Sequence, residues 1–196
     1  MKTAEEEKIR LLRRILVSYN DFKQAAEISS HILEAKLHRD YPEKDRELLQ
    51  ALNCAMIIAY ARPFSGNSGS KTTLKALPAR FLSVLTSDER ALHQVVLQDR
   101  NQCLAHSDHC AWNLRLSFVR PSGHAPMLVP LHHDVRAPLD KRPTLMLKTM
   151  AHKLMEAVSA ERSTLEKELA DALPTLRLED NSVTGEEQAM RYGGWL

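Results

Sequence analysis

From Pro143 to about Leu173, apolar side chains return every three or four positions, at Leu147, Met150, Leu154, Val158, Leu165 and Leu169. That period puts them on one stripe of a long α-helix. Pro143 is tolerated in the first turn, where its missing N–H leaves no intrahelical bond unmade, and Pro174 ends the pattern. Glu161 and Arg162 interrupt the stripe. The segment is therefore expected to pack against several other helices rather than to form an uninterrupted coiled coil.

The rest of the chain supplies those helices. Glu6 to Val17 carries Ile9, Leu12, Ile15 and Leu16, and Asp21 to Leu37 carries Phe22, Ala25, Ala26, Ile28, Ile32 and Leu33. Tyr41-Pro42 breaks the second pattern, because proline lacks the N–H and restricts its predecessor. A third pattern starts near Glu43 and passes through Leu48, Leu49, Leu52, Ala55, Met56 and Ala59 before Pro63. Its last turns are apolar nearly all round, which predicts a place at the centre of the fold. Pro78 to Leu85 reads as a short helix. Thr86-Ser87-Asp88-Glu89 reads as a capping box opening a helix to about Leu104, with Leu92, Val95 and Val96 as its buried stripe.

The period then changes. Trp112, Leu114, Leu116 and Phe118 alternate with Asn113, Arg115 and Ser117, as in a strand with one buried face. Pro121 to Pro126 is turn chemistry, and Met127 to Leu131 returns as an edge strand because of Pro130. A two-stranded hairpin is marginal alone, so it must lie on the helices or on a partner. The fold class that follows is mostly α, a bundle of about five helices with a small β-hairpin near 112–131. One domain spans 1–173, followed by an acidic tail at 174–196.

Composition narrows the setting. In 196 residues, 43% are apolar and 27% charged, which is too apolar for a disordered chain. The longest apolar run, Ala55 to Ala61, is far short of a membrane span. Met1 to Glu7 lacks the apolar core of a signal peptide. Three cysteines, an odd number, point to reduced thiols and a cytoplasmic location. The net charge of +2 makes no demand for nucleic acid, but it is unevenly spread. Residues 112–148 carry Arg115, Arg120, Arg136, Lys141, Arg142 and Lys148 against only Asp134 and Asp140, whereas 149–196 is acidic. The basic stretch is either a phosphate-receiving surface or an ordinary solvated one. Ser65 and Ser70 stand where a P-loop before Lys71 needs glycines, which rejects nucleotide binding by that loop.

The chemistry is concentrated in Asp99-Arg100-Asn101-Gln102-Cys103-Leu104-Ala105-His106-Ser107-Asp108. Continuing the apolar stripe of the capped helix at three- and four-residue steps leads to Asp99, Cys103 and His106. Buried ionisable groups are costly without partners, so these residues are expected at an interface, at a cleft or against one another. Arg100 and His106 are separated by about 240° of rotation and about 9 Å of rise in a regular helix. They share chemistry only through a substrate between them or a second copy of the pair.

Arg100, five intervening residues beginning with Asn101, and His106 resemble the motif of the HEPN superfamily (higher eukaryotes and prokaryotes nucleotide-binding). The resemblance covers Asp99 to Asp108 closely and the surrounding helical pattern loosely. The hairpin departs from that family's helical outline. What the resemblance implies is a HEPN-like bundle that forms a homodimer, with two motif helices facing across a two-fold axis. It further implies a metal-independent endoribonuclease, a toxin or phage-defence effector that cleaves RNA by 2′-OH attack. Arg100, Asn101 and His106 would form its site, without cofactor, metal or membrane. An antitoxin or nucleotidyltransferase is the further partner implied. Non-catalytic relatives imply the alternative, a dimerising module that binds a nucleotide, RNA or protein.

Other readings compete for the same residues. Arg100 can pair with Asp99 or Asp88, leaving His106 as a helix-end residue favoured by the backbone dipole. Cys103, His106, His109 and Cys110, with His124, His132, His133 and Asp134 downstream, include zinc-ligand types but not a standard ligand spacing. Trp112 and Trp195 can stack on bases, although a tryptophan on a half-buried strand also suits a core. Arg62 is either a surface helix-end arginine or an added charge on the cleft.

Overall fold

The computed structural model describes residues 4–36, 43–65, 76–101, 115–120, 122–123, 125–131 and 138–172. These form α1 (Ala4–Glu34), α2 (Glu43–Ala61), short 3-10 turns at Arg62–Phe64 and Ala79–Val84, α3 (Ser87–Asp99), β1 (Arg115–Val119), β2 (Met127–Leu131) and α4 (Lys141–Glu168). The chain is mostly helical with one small antiparallel hairpin.

The two helices expected before Leu37 are one. Nothing between Val17 and Asp21 stops a helix, since the intervening residues are Ser18, Tyr19 and Asn20 with no proline or glycine. α1 therefore runs on until Lys36, whose φ of 54° turns the chain out of the helix. Its buried face passes through Leu12, Ile15, Ser18, Phe22, Ala25, Ser29 and Ile32. Ser18, Ala25 and Ser29 are small, and Ser29 Oγ donates to Ala25 O (2.8 Å) and contacts Met56 Sδ at 3.1 Å.

α1 lies against α2 on one side and α4 on the other, antiparallel to both. The α1–α4 direction shows in the ion pair of Lys8 with Glu168, from opposite chain ends. The α1–α2 direction shows in Arg14, whose Nη2 donates to the carbonyls of Arg62 (2.7 Å), Pro63 and Ser65 (3.1 Å) just beyond α2. The stripe of α4 is buried throughout, at Leu147, Met150, Leu154, Val158, Leu165 and Leu169. Where the stripe is interrupted, Glu161 pairs with Arg80 (2.6 Å) and Arg162 with Glu166 (2.6 Å). α2 does end in the core, with Met56, Ala59, Tyr60 and Ala61 inaccessible to solvent.

The segment before α3 is a 3-10 turn over Ala79–Val84 rather than an α-helix. Thr86 and Glu89 form the expected capping box: Thr86 N donates to Glu89 Oε2 (2.8 Å), and Glu89 N donates to Thr86 Oγ1 (3.3 Å). The buried face of α3 differs from the expected stripe. It runs Glu89, His93, Val96, while Val95 is 49% exposed. Two core interactions select that face. Glu89 accepts Lys153 Nζ of α4 at 2.8 Å on both oxygens, and His93 Nδ1 lies 3.0 Å from Tyr60 Oη of α2.

β1 and β2 pair with Phe118 opposite Leu128 and Val119 opposite Met127. The expected buried face is not covered at its tip. Phe118 is 74% exposed, Met127 53% and Leu128 52%. The described side chains at the hairpin tip lie in solvent, so strand alternation alone did not decide their burial. No described helix is long and apolar enough to cross a membrane.

Candidate functional site

The local fold packs α3 against α2 and α4. The Thr86–Glu89 box fixes where the helix begins. The Glu89–Lys153 pair ties its first turn to α4, and Arg80–Glu161 ties the preceding 3-10 turn to α4 two turns farther along. Arg100 falls four and three residues along from Val96 and Leu97, at the margin of the buried face that contains His93 and Val96. It is half-buried, with helical φ and ψ of −57° and −46°, and its N–H reaches Val96 O and Leu97 O.

Arg100 and Asn101 continue the helix in wider, π-type turns. Such turns reposition side chains relative to a regular α-helix. Arg100 Nη1 donates to the Asn101 side-chain oxygen at 2.8 Å, so Asn101 holds the guanidinium itself. Among the described residues Arg100 forms no ion pair, and neither Asp99 nor Asp88 neutralises it. Burial pushes the neighbouring Asp99 carboxyl above its ordinary range. A fixed guanidinium with a solvent-facing side is suited to an anionic oxygen, above all a phosphate.

Of the three expected site residues, Arg100 and Asn101 are brought together and His106 lies outside the described residues. So do Cys103, His109, Cys110, Trp112, His124, His132, His133, Asp134, Trp195 and the acidic tail. Arg62 belongs to another place: it lies beyond the far end of α2, held by Asp21 (Nε to Oδ1 3.3 Å) and by the Gln24 side chain.

A second polar cluster was not singled out in the sequence. Tyr60 and His93 meet inside a ring cluster with Phe22 and Phe64; the Phe64 and His93 rings meet edge-on, with centroids 4.6 Å apart. Burial lowers the His93 pKa and raises that of Tyr60. The signal was Glu89 and His93 one turn apart on a capped helix. A separate open groove of about 380 Å³ between α1 and α4 is lined by Tyr19, His152, Met155, Glu156 and Ser159, and none of its lining belongs to α3.

The described residues thus define a helical bundle with a standing hairpin and an arginine–asparagine pair at the end of its third helix. Comparison with family models, curated proteins and solved structures finds no match to the chain.

Proposed function

We propose that the chain is a metal-independent endoribonuclease of HEPN type, acting as a homodimer in which Arg100, Asn101 and His106 of two copies enclose an RNA phosphate. The observation that carries the reading is the Arg100–Asn101 hydrogen bond, which holds a guanidinium that forms no ion pair among the described residues at the end of α3. In the proposed reaction the RNA 2′-oxygen attacks the adjacent phosphorus and the bond to the 5′-oxygen breaks. The products are a 2′,3′-cyclic phosphate and a 5′-hydroxyl. One His106 takes the 2′-OH proton and the other protonates the leaving oxygen, since imidazole titrates near neutrality. Arg100 holds the non-bridging oxygens as charge builds on them. A toxin or defence role, with an antitoxin or nucleotidyltransferase partner, follows from the same reading.

The test is incubation of purified chain with single-stranded RNA in chelator. Cleavage to cyclic-phosphate ends is expected, and Arg100→Ala or His106→Ala lowers the rate by about 100-fold or more. Intact RNA with retained, salt-sensitive binding replaces the nuclease with the binding module. Cleavage that survives both substitutions removes this site from the reaction.

A further inference from the structure

We propose that His93 is a proton-operated latch, holding α3 and the Arg100–Asn101 pair that continues it against the bundle until its ring takes up a proton. The inference does not depend on what Arg100 binds.

α3 is held differently from the other helices. α4 enters the core through Leu147, Met150, Leu154, Val158 and Leu165, all buried and all apolar. The buried residues of α3 are Glu89, His93 and Val96, so two of the three are ionisable, and Leu92 and Leu97 are only half-buried. Undocking this helix strips little apolar surface from the core and leaves the α1–α4 seam closed. A helix with so little apolar anchorage is suited to open on its own, ahead of the whole fold.

One of its docking contacts answers to mild acid. His93 is 1% exposed, with Nδ1 3.0 Å from Tyr60 Oη and its ring edge-on to Phe64. That phenol and that ring are what α2 and the turn after it present to His93, and Phe22 of α1 packs against both. The cations at the turn, Arg14 and Arg62, are taken up by the carbonyls of Arg62, Pro63 and Ser65 and by Asp21. On α3 itself Glu89 lies one turn back, but its carboxylate already accepts Lys153 of α4 and the Thr86 N–H. No acid among those that face the ring is left free to balance an imidazolium. Burial accordingly holds the His93 pKa below its usual 6.5. Asp99 works in the opposite sense, because burial raises its carboxyl and lets the docked helix take up a proton more readily.

An open α3 returns the imidazole to water and to its ordinary pKa of 6.5. Between that value and the lower docked one, the open form binds a proton that the docked form refuses. Acid therefore draws α3 open by at most about tenfold per pH unit, and the effect levels off below the docked pKa. Glu89 keeps its bonds through this range, since burial is outweighed there by Lys153 and Thr86, which hold its carboxyl low.

The test is amide hydrogen exchange of the full-length chain from about pH 7.5 to about pH 4.5, corrected for intrinsic rates. Amides from Leu92 onward in α3 are expected to exchange before those of the α1–α4 seam at every pH, through an opening that responds weakly to urea. Below pH 6.5 their protection is expected to fall by up to about tenfold per unit. Arg100, whose N–H is bonded to Val96 O and Leu97 O, is expected to follow them. His93→Gln keeps a partner for Tyr60 but takes up no proton, and in it the fall is expected to disappear. Should that variant fail to fold, carbon-13 labelling of the histidine rings gives a second reading on the unsubstituted chain. The His93 ring is expected to titrate below 6.5, at the pH where α3 protection levels off. Equal protection in α3 and the seam overturns the latch, because the helix then opens only with the whole fold. An acid response unchanged in His93→Gln, or a ring that titrates at 6.5 or above, overturns it as well.

Discussion

His93 is 1% exposed and carries a titratable ring into an apolar cluster. Its contact with Tyr60 Oη satisfies one nitrogen at 3.0 Å. The groups around it are Tyr60 from α2, Glu89 on its own helix, and Lys153 of α4 already bound to Glu89. Burial holds the folded-state pKa of His93 below its usual 6.5. Between that ordinary value and the lower folded one, the unfolded chain binds a proton that the folded chain refuses. The contribution of His93 is thus present in full above about pH 6.5 and lost as pH falls through the folded value. Thermal denaturation is expected to show Tm dropping from pH 7 to pH 5, and a shallower drop in His93→Gln. A parallel pH profile in the variant excludes His93 as the source. Glu89 behaves differently: burial alone would raise its pKa, but the hydrogen bonds from Lys153 and Thr86 outweigh burial and hold it low. Its stabilising effect is lost only at more acid pH.

At the scale of elements, α3 is positioned by its ends more than by its apolar residues. Thr86 and Glu89 exchange hydrogen bonds at the start, and Glu89 also reaches Lys153, so one carboxylate joins the cap to the bundle. Thr86→Ala removes the side-chain acceptor for Glu89 N–H and is expected to cost about 0.5–2 kcal/mol in urea unfolding. An unchanged midpoint would show that the box contributes nothing to folding. The capping box was readable from four consecutive residues because it is local. The face of α3 was not, because Val95 and Val96 are equally apolar and only the partners of Glu89 and His93 on other helices choose between them. α1 shows the same limit. Two amphipathic patterns fit two helices or one, and absence of a breaker between them decided for one.

On the scale of the whole molecule, α1 is the central helix and α4 seals its length. Leu154 is fully buried in that seam, whereas Leu48 on α2 is 56% exposed. Leu154→Ala is expected to lower unfolding free energy by about 2–5 kcal/mol, and Leu48→Ala by less than about 0.5 kcal/mol. Equal effects in denaturant melts would contradict this packing.

The sequence by itself determined the helical class, the seam of α4, the burial of the end of α2, the cap of α3 and the register signals of the hairpin. Each depends on spacing or on residues close along the chain. Tertiary structure decided which face of α3 is buried, that His93 is enclosed with Tyr60, and that Phe118 stands in solvent. These depend on which surfaces meet, and burial is a property of contacts between distant segments that no local period encodes.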